Sequence, residues 1–299
     1  MSSGGFARAT GRRLRWPVVV FAVLLAASAR AQTSTERGAY LLRAGGCISC
    51  HTDAKSGGAP LAGGLALKTP FGVFYSPNIT ADPETGIGRW TDRQFLDALK
   101  HGVRPDGARY FPALPYTTYT KMTDADALAI KAHLLSLPPA RRENRAHDLT
   151  FPFGWRWPLR FWQMLFFEDG EFRPDPARGE QWNRGAYLVE ALAHCGECHT
   201  PRNALGGLER DRWLSGTRDG PEGEVAPNIT PDPKTGIGGW SQADIVTLLK
   251  DGTTPEFDNV QGAMAEAVRD GLSHLSAADL EAIAVYLKAV SPIENKVGR

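Results

Sequence analysis

Apolar residues recur at helical spacing in two short stretches, 36–44 and 184–192, and the two stretches are nearly the same text. One contains Arg37-Gly38-Ala39-Tyr40-Leu41 and the other Arg184-Gly185-Ala186-Tyr187-Leu188. A second pair of helices is predicted behind the N-cap residues Thr91 and Ser241, where Phe95, Leu96 and Leu99 match Ile245, Val246 and Leu249. A third, amphipathic pair covers Asp124 to Leu137 and Ala277 to Val290. Each of these follows a Thr123 or Ser276 cap in an S/T-x-x-D pattern, which predicts a capping box. Long Gly/Pro loops, 56–88 and 203–239, separate the helices. No apolar/polar alternation is sustained, so strands are not expected.

The similarity extends into the loops. Pro77-Asn78-Ile79-Thr80 and Pro227-Asn228-Ile229-Thr230 each run through D-P-x-T-G-I-G to a tryptophan, Trp90 or Trp240. Self-similarity on this scale means a duplicated domain rather than a solenoid. The expected fold is all-α, with two tandem helical domains at 32–139 and 181–299 joined by a linker at 140–180. Helical units this short need extra apolar material to complete a core.

The linker is rich in aromatics: Phe151, Phe153, Trp155, Trp157, Phe161, Trp162, Phe166, Phe167 and Phe172. They suit either a docking surface for a partner or a membrane, or a linker buried between the two units. Burial is the expectation, because locking two domains together takes large side chains.

At the N-terminus, Arg8, Arg12, Arg13 and Arg15 precede the apolar run Pro17 to Ala27, and Ala29-Arg30-Ala31 offers a cleavage site. This predicts an export leader at 1–31, cut near Ala31; an uncleaved anchor is the alternative, and the run is short for a span. Arg12-Arg13 alone does not make a twin-arginine signal persuasive. Loss of the leader removes five arginines and no acid, turning a formal charge of +1 into −4. A mildly acidic chain has no overall charge footprint for nucleic acid or for anionic lipid. No other apolar run approaches transmembrane length, so no membrane span is expected in the mature chain, which is expected in the periplasm or held at the inner membrane by a partner.

All four cysteines lie in two copies of one pentad, Cys47-Ile48-Ser49-Cys50-His51 and Cys195-Gly196-Glu197-Cys198-His199. C-x-x-C-H is the attachment pattern of c-type haem. The two thiols form thioethers with the vinyl groups, and the histidine becomes the proximal ligand. Two covalently bound haem c groups are expected, held by Cys47, Cys50, Cys195 and Cys198, with His51 and His199 on iron. Four thiolates sharing one zinc would be an alternative, but nearly 150 residues separate the pairs. Thioredoxin-type redox pairs would need a βαβ setting that the pattern does not suggest.

Low-spin haems need a second axial ligand, and only Met122, Met164 and Met264 remain after the leader. Met264, in a Gly-containing segment before the last helix, is the expected ligand of the second haem rather than core filler. Its counterpart in the first unit falls near Leu114, so Met122 becomes the candidate for the first haem. Met164 in the linker is read as packing. His101 and His133 are further candidates, although they, like His147, His194 and His274, are more simply structural. The carbonyls of Pro77 and Pro227 can accept the proximal imidazole N–H. Trp90 and Trp240 can donate to haem propionates or simply fill the core.

Taken together, HCGECHTPRNALGG (194–207), the doubled RGAYL, the doubled PNIT…TGIG.W and FPALPYTTYTKMTDADALAIKAHLLSLP (111–138) resemble a known family. It comprises the bacterial periplasmic dihaem and trihaem cytochrome c subunits of membrane-linked alcohol, gluconate and related sugar dehydrogenases. The resemblance implies cytochrome-c-like helical domains, His/Met haems and electron passage from a dehydrogenase towards the respiratory chain. An acceptor cytochrome or quinol-linked oxidase would follow. The third C-x-x-C-H domain of trihaem members is absent here, and Leu114 stands where many members carry Met. Relatives with an apolar residue there and Met before the T-D-x-D helix support Met122. The expected role is thus electron carriage without bond-making chemistry. The alternative is a dihaem redox enzyme, a peroxidase or sulfur-compound dehydrogenase, with an open or labile sixth site on the first haem.

Overall fold

The computed structural model describes residues 1, 2, 5, 34–220 and 223–297; apart from residues 1, 2 and 5, the expected leader lies outside them. The first half contains α1 over 34–44, α2 (Cys47–His51), α3 (Asp92–His101), α4 (Tyr116–Tyr119) and α5 (Asp124–Ser136). The crossover carries α6 (Leu159–Phe166). The second half repeats the order with α7 (Glu180–Tyr187), α8 (Cys195–His199), α9 (Gln242–Asp251), α10 (Gly262–Asp270) and α11 (Ala277–Ala289).

Local chemistry sets the ends of the middle pair. Thr91 and Gln94 form a reciprocal capping box on α3, as Ser241 and Asp244 do on α9. Both helices end at a left-handed glycine, Gly102 or Gly252.

The halves differ in one instructive place. Ten positions separate Arg37 from Cys47, but eleven separate Arg184 from Cys195. The extra residue is absorbed in a π-helical turn, Leu188–Leu192, closed by Ala193 N–H donating to the Leu188 carbonyl at 2.7 Å. Beyond it the halves match again. Gly46 and His194, the residues before each pentad, both adopt left-handed backbone, with φ 65° and 42°.

Two expectations need correction. A small antiparallel sheet, ordered β1-β2-β3, adds to the helical fold: β1 (Ala66–Thr69), β2 (Gly72–Tyr75) and β3 (Asp148–Leu149). Its strands are too short to show alternation, and the third comes from the crossover. A Cβ at Gly72 would lie 2.4 Å from the Asp148 carbonyl oxygen, so the two strands meet closely only because that position is glycine. The second correction is the linker. Leu159 and Gln163 are buried, but Phe151, Phe153, Trp155, Trp157 and Phe161 are exposed. Met164 is exposed as well and is not packing.

One continuous core runs through both halves, and their junction is reciprocal. Arg37 pairs with Asp126 in its own half (Nε to Oδ1, 2.7 Å), and Arg184 pairs with Asp279 in its own half (2.8 and 2.6 Å). The tyrosines cross over: Tyr40 O–H donates to Asp279 and Tyr187 O–H to Asp126, both at 2.6 Å. Each tyrosine oxygen also accepts the cap N–H of the same foreign helix, Ser276 N–H at 3.1 Å or Thr123 N–H at 3.3 Å. The expected capping boxes are therefore only half made. The Thr123 and Ser276 hydroxyls accept the N–H of Asp126 and Asp279, but those carboxylates turn to arginine and tyrosine instead. The glycine of RGAYL has its own role. A Cβ at Gly38 would come 1.9 Å from the Ala129 carbonyl oxygen, and one at Gly185 2.0 Å from that of Ala282.

Candidate functional site

The pentads form two short helices, α2 and α8, with each cysteine pair one turn apart on a shared face. No disulfide joins any of the four cysteines. Burial, and then the neighbouring cysteine, pushes the Cys47 and Cys195 thiols up to about 12. Among the described residues no three His, Cys, Asp or Glu side chains gather in a way that could hold a metal ion.

Each histidine is oriented from behind. His51 Nδ1 lies 2.8 Å from the Pro77 carbonyl oxygen, and His199 Nδ1 lies 2.8 Å from that of Pro227. Only a protonated Nδ1 can donate to a carbonyl, so Nε2 is left with its lone pair free. Burial pushes both imidazoles down further than the carbonyl bonds pull them up, favouring the neutral ring that an iron ligand requires.

The doubled PNIT…TGIG segment holds the proline carbonyls in place. Asn78 donates to Thr85 Oγ1 at 2.9 Å and to the Ala140 carbonyl at 2.7 Å, while its own Oδ1 accepts Thr80 N–H at 2.9 Å. Asn228 repeats this with Thr235 (3.0 Å), Ile293 (2.7 Å) and Thr230 (2.9 Å). On the other side, Gly63 and Gly216 donate to the His51 and His199 carbonyls, each at 2.7 Å. A Cβ on either glycine would lie within 2.7 Å of backbone atoms in the proline segment. Leu61 and Leu214 are both buried in left-handed conformation with φ 61°, a strain held in place twice by the same packing. Asn228→Ala should lower stability by about 2 kcal/mol, because it leaves buried backbone groups unpaired. A urea titration of the haem-loaded protein would measure that loss.

Met122 is 1% exposed, in the core between α4 and α5, while Met264 is partly buried near the start of α10. Leu114 packs on the same core. Trp90 and Trp240 also lie against it. The other histidines have structural surroundings. His147 accepts Tyr75 N–H at 3.2 Å, His101 lies 3.2 Å from Asp169, and His133 lies on α5 with its buried Nδ1 unpaired among the described residues.

The pentads face each other's half. The Thr117 and Thr118 hydroxyls donate to Glu197 Oε1 at 3.0 and 2.6 Å, and α2 packs against α10. His194 stacks edge-on to Tyr119 at 5.9 Å, and its Nε2 lies against Gly46. Sequence reading did not find Glu197 or this role for His194, since both depend on contacts between distant segments.

Two C-x-x-C-H pentads, each with its histidine held by a proline carbonyl, define the class of c-type cytochromes. The cytochrome c family pattern matches residues 35–138. A "Diheme cytochrome c-type" protein of Cereibacter sphaeroides is 43% identical over 86% of this chain and 86% of its own length. The "Fructose dehydrogenase cytochrome subunit" of Gluconobacter japonicus is 42% identical over 86% of this chain and 52% of its own length. The "Alcohol dehydrogenase (quinone), cytochrome c subunit" of Komagataeibacter europaeus is 39% identical over 92% of this chain and 61% of its own length. The chain belongs to this family of c-type cytochromes, and it spans only about half to three-fifths of the two dehydrogenase subunits. Among the described residues, no helix is long and apolar enough to cross a membrane.

Proposed function

We propose that the protein is an exported dihaem electron carrier that takes electrons from a partner dehydrogenase and passes them towards the respiratory chain. The observation carrying this reading is the twofold occurrence of one geometry, a pentad whose histidine is held at Nδ1 by a proline carbonyl at 2.8 Å. The haem supplies a one-electron couple, and the protein tunes it through axial ligand, hydrogen bonding and burial. Cys47 and Cys50 would fix one group and Cys195 and Cys198 the other, in domains at 32–139 and 181–299 joined by 140–180. His51 and His199 would be proximal ligands, with Met122 and Met264 opposite them. The buried position of Met122 supports its assignment. The Trp90 and Trp240 indoles would donate to propionates.

Support for a donor dehydrogenase comes from relatives named as cytochrome subunits of fructose, alcohol and gluconate dehydrogenases. The acceptor would be a cytochrome or quinol-linked oxidase. Export follows from the leader-like residues 1–31, which would leave a periplasmic chain. No substrate oxidation is assigned to this chain.

Pyridine haemochrome analysis should give two haems per chain, and the ferric spectrum two low-spin haems. Met122→Ala and Met264→Ala should each convert one haem to high spin. A high-spin haem already present in wild type would instead favour a dihaem redox enzyme with an open site beside Leu114.

A further inference from the structure

We propose that the aromatic ridge of the crossover seats this protein directly on an anionic lipid surface. The observation is an inverted surface helix. On α6, Leu159 and Gln163 face inward, and Phe161, Met164 and Leu165 face out. Phe151, Trp155 and Trp157 extend the same apolar surface just before the helix. These six outward side chains are 51–76% exposed. The aromatic members form a continuous row: Phe151–Trp155, Trp155–Trp157 and Trp157–Phe161 have ring centroids 5.2, 6.5 and 6.2 Å apart. A soluble domain normally turns polar residues outward on a surface helix. An exposed apolar patch of this kind marks a contact with something else.

Polar chemistry identifies the occupant. From Thr150 to Phe167 the only charged residues are Arg156 and Arg160. Arg156 lies over the Phe111 ring and donates to the Arg109 carbonyl, while Arg160 is exposed and shares a cleft with Arg109 and Met164. The acids that follow lie beyond the ridge: exposed Asp169 lines the same cleft and pairs with His101 and Thr120, and exposed Glu168 lies 3.8 Å from Arg210. The Trp162 indole donates inward to the Leu205 carbonyl, whereas among the described residues those of Trp155 and Trp157 have no partner. The ridge therefore offers hydrogen-bond donors and cations, and between Phe151 and Phe167 no exposed side chain is an acceptor. A protein interface normally mixes donors with acceptors. Phosphodiester headgroups and ester carbonyls offer acceptors and negative charge. Exposed indoles beside arginine are the side chains that settle at that depth. The contact is peripheral, and it involves neither the pentads nor the proposed donor.

The test is cosedimentation of the exported, haem-loaded protein, lacking its leader by mass spectrometry, with lipid vesicles. One preparation is phosphatidylcholine alone, and the other also contains phosphatidylglycerol. Wild type should pellet with the anionic vesicles, and its tryptophan emission should shift to the blue. Trp155→Ser/Trp157→Ser/Phe161→Ser should weaken partitioning by about tenfold or more. Arg160→Gln should weaken it about fivefold on anionic vesicles alone. All replaced side chains are exposed, and an unaltered haem spectrum confirms folding. Wild type remaining in the supernatant with unshifted emission would overturn the proposal and leave the ridge to a protein partner. Equal binding by the triple variant would overturn it too. A haem count other than two would bear on the electron-carrier reading alone.

Discussion

Gly185→Ala is expected to destabilise the protein by about 3 kcal/mol or more, the upper part of the range for overpacking a tight contact. The added methyl carbon would stand 2.0 Å from the Ala282 carbonyl oxygen and 2.6 Å from its carbon. These are backbone atoms of α11, so no side-chain rotation relieves the clash. The helices must separate, and separation also draws Arg184 away from Asp279 and Tyr187 away from Asp126. The intrinsic gain in helix propensity from Gly to Ala, about 1 kcal/mol, is too small to offset this. Gly38→Ala should act similarly against Ala129. The denaturant midpoint of the haem-loaded variants measures both, and a midpoint equal to wild type would show that the helices can part without loss.

Asp279→Ala is the second large effect, expected to cost about 3 kcal/mol. Asp279 is 8% exposed and accepts three charge-assisted or phenolic hydrogen bonds, from Arg184 Nε, Arg184 Nη2 and Tyr40 O–H. Removing it strands a guanidinium that is only about a third exposed. It also removes the acceptor that holds Tyr40 against the cap of α11. The contribution depends on pH. Burial pushes the Asp279 carboxyl up, but Arg184 and then Tyr40 outweigh it, holding the group below its ordinary value of 3.8. A depressed carboxylate stabilises the fold fully above its unfolded pKa and loses that contribution as pH falls through the folded pKa. The stability gap between wild type and Asp279→Asn should therefore be flat near neutrality and close as the pH drops below about 4. Paired urea titrations across that range check it, and a gap that widens with acid would contradict the assignment.

Much of the site was legible because local rules govern it. The Thr91 and Ser241 caps depend on residues three positions away. The link between His51 and Pro77 is long-range, but the duplication advertises it, since both members recur at nearly the same spacing. The failures all involve partners that the local pattern does not name. Asp126 and Asp279 look like capping-box acids, yet their partners include a tyrosine from the other half. The sheet joins two four-residue strands to a third more than seventy positions later. The aromatics of 151–167 revealed their bulk but not their facing, because hydrophobicity alone does not say whether anything in the chain covers it. The exposed ridge and the buried π turn are both conspicuous only in three dimensions.

The π turn at Leu188–Leu192 reconciles two lengths of chain with one geometry. A residue gained or lost inside a helix would rotate everything beyond it by about 100°. Surface loops take such length changes easily, but buried helices leading to a reactive group seldom can. Here the two copies of the repeat differ in length by one residue in just such a helix. Yet both histidines still rest 2.8 Å from their proline oxygens. What the two halves share is thus the aim of the imidazole rather than the count of residues leading to it. The wider turn takes up the added residue, so the chain beyond it keeps its direction.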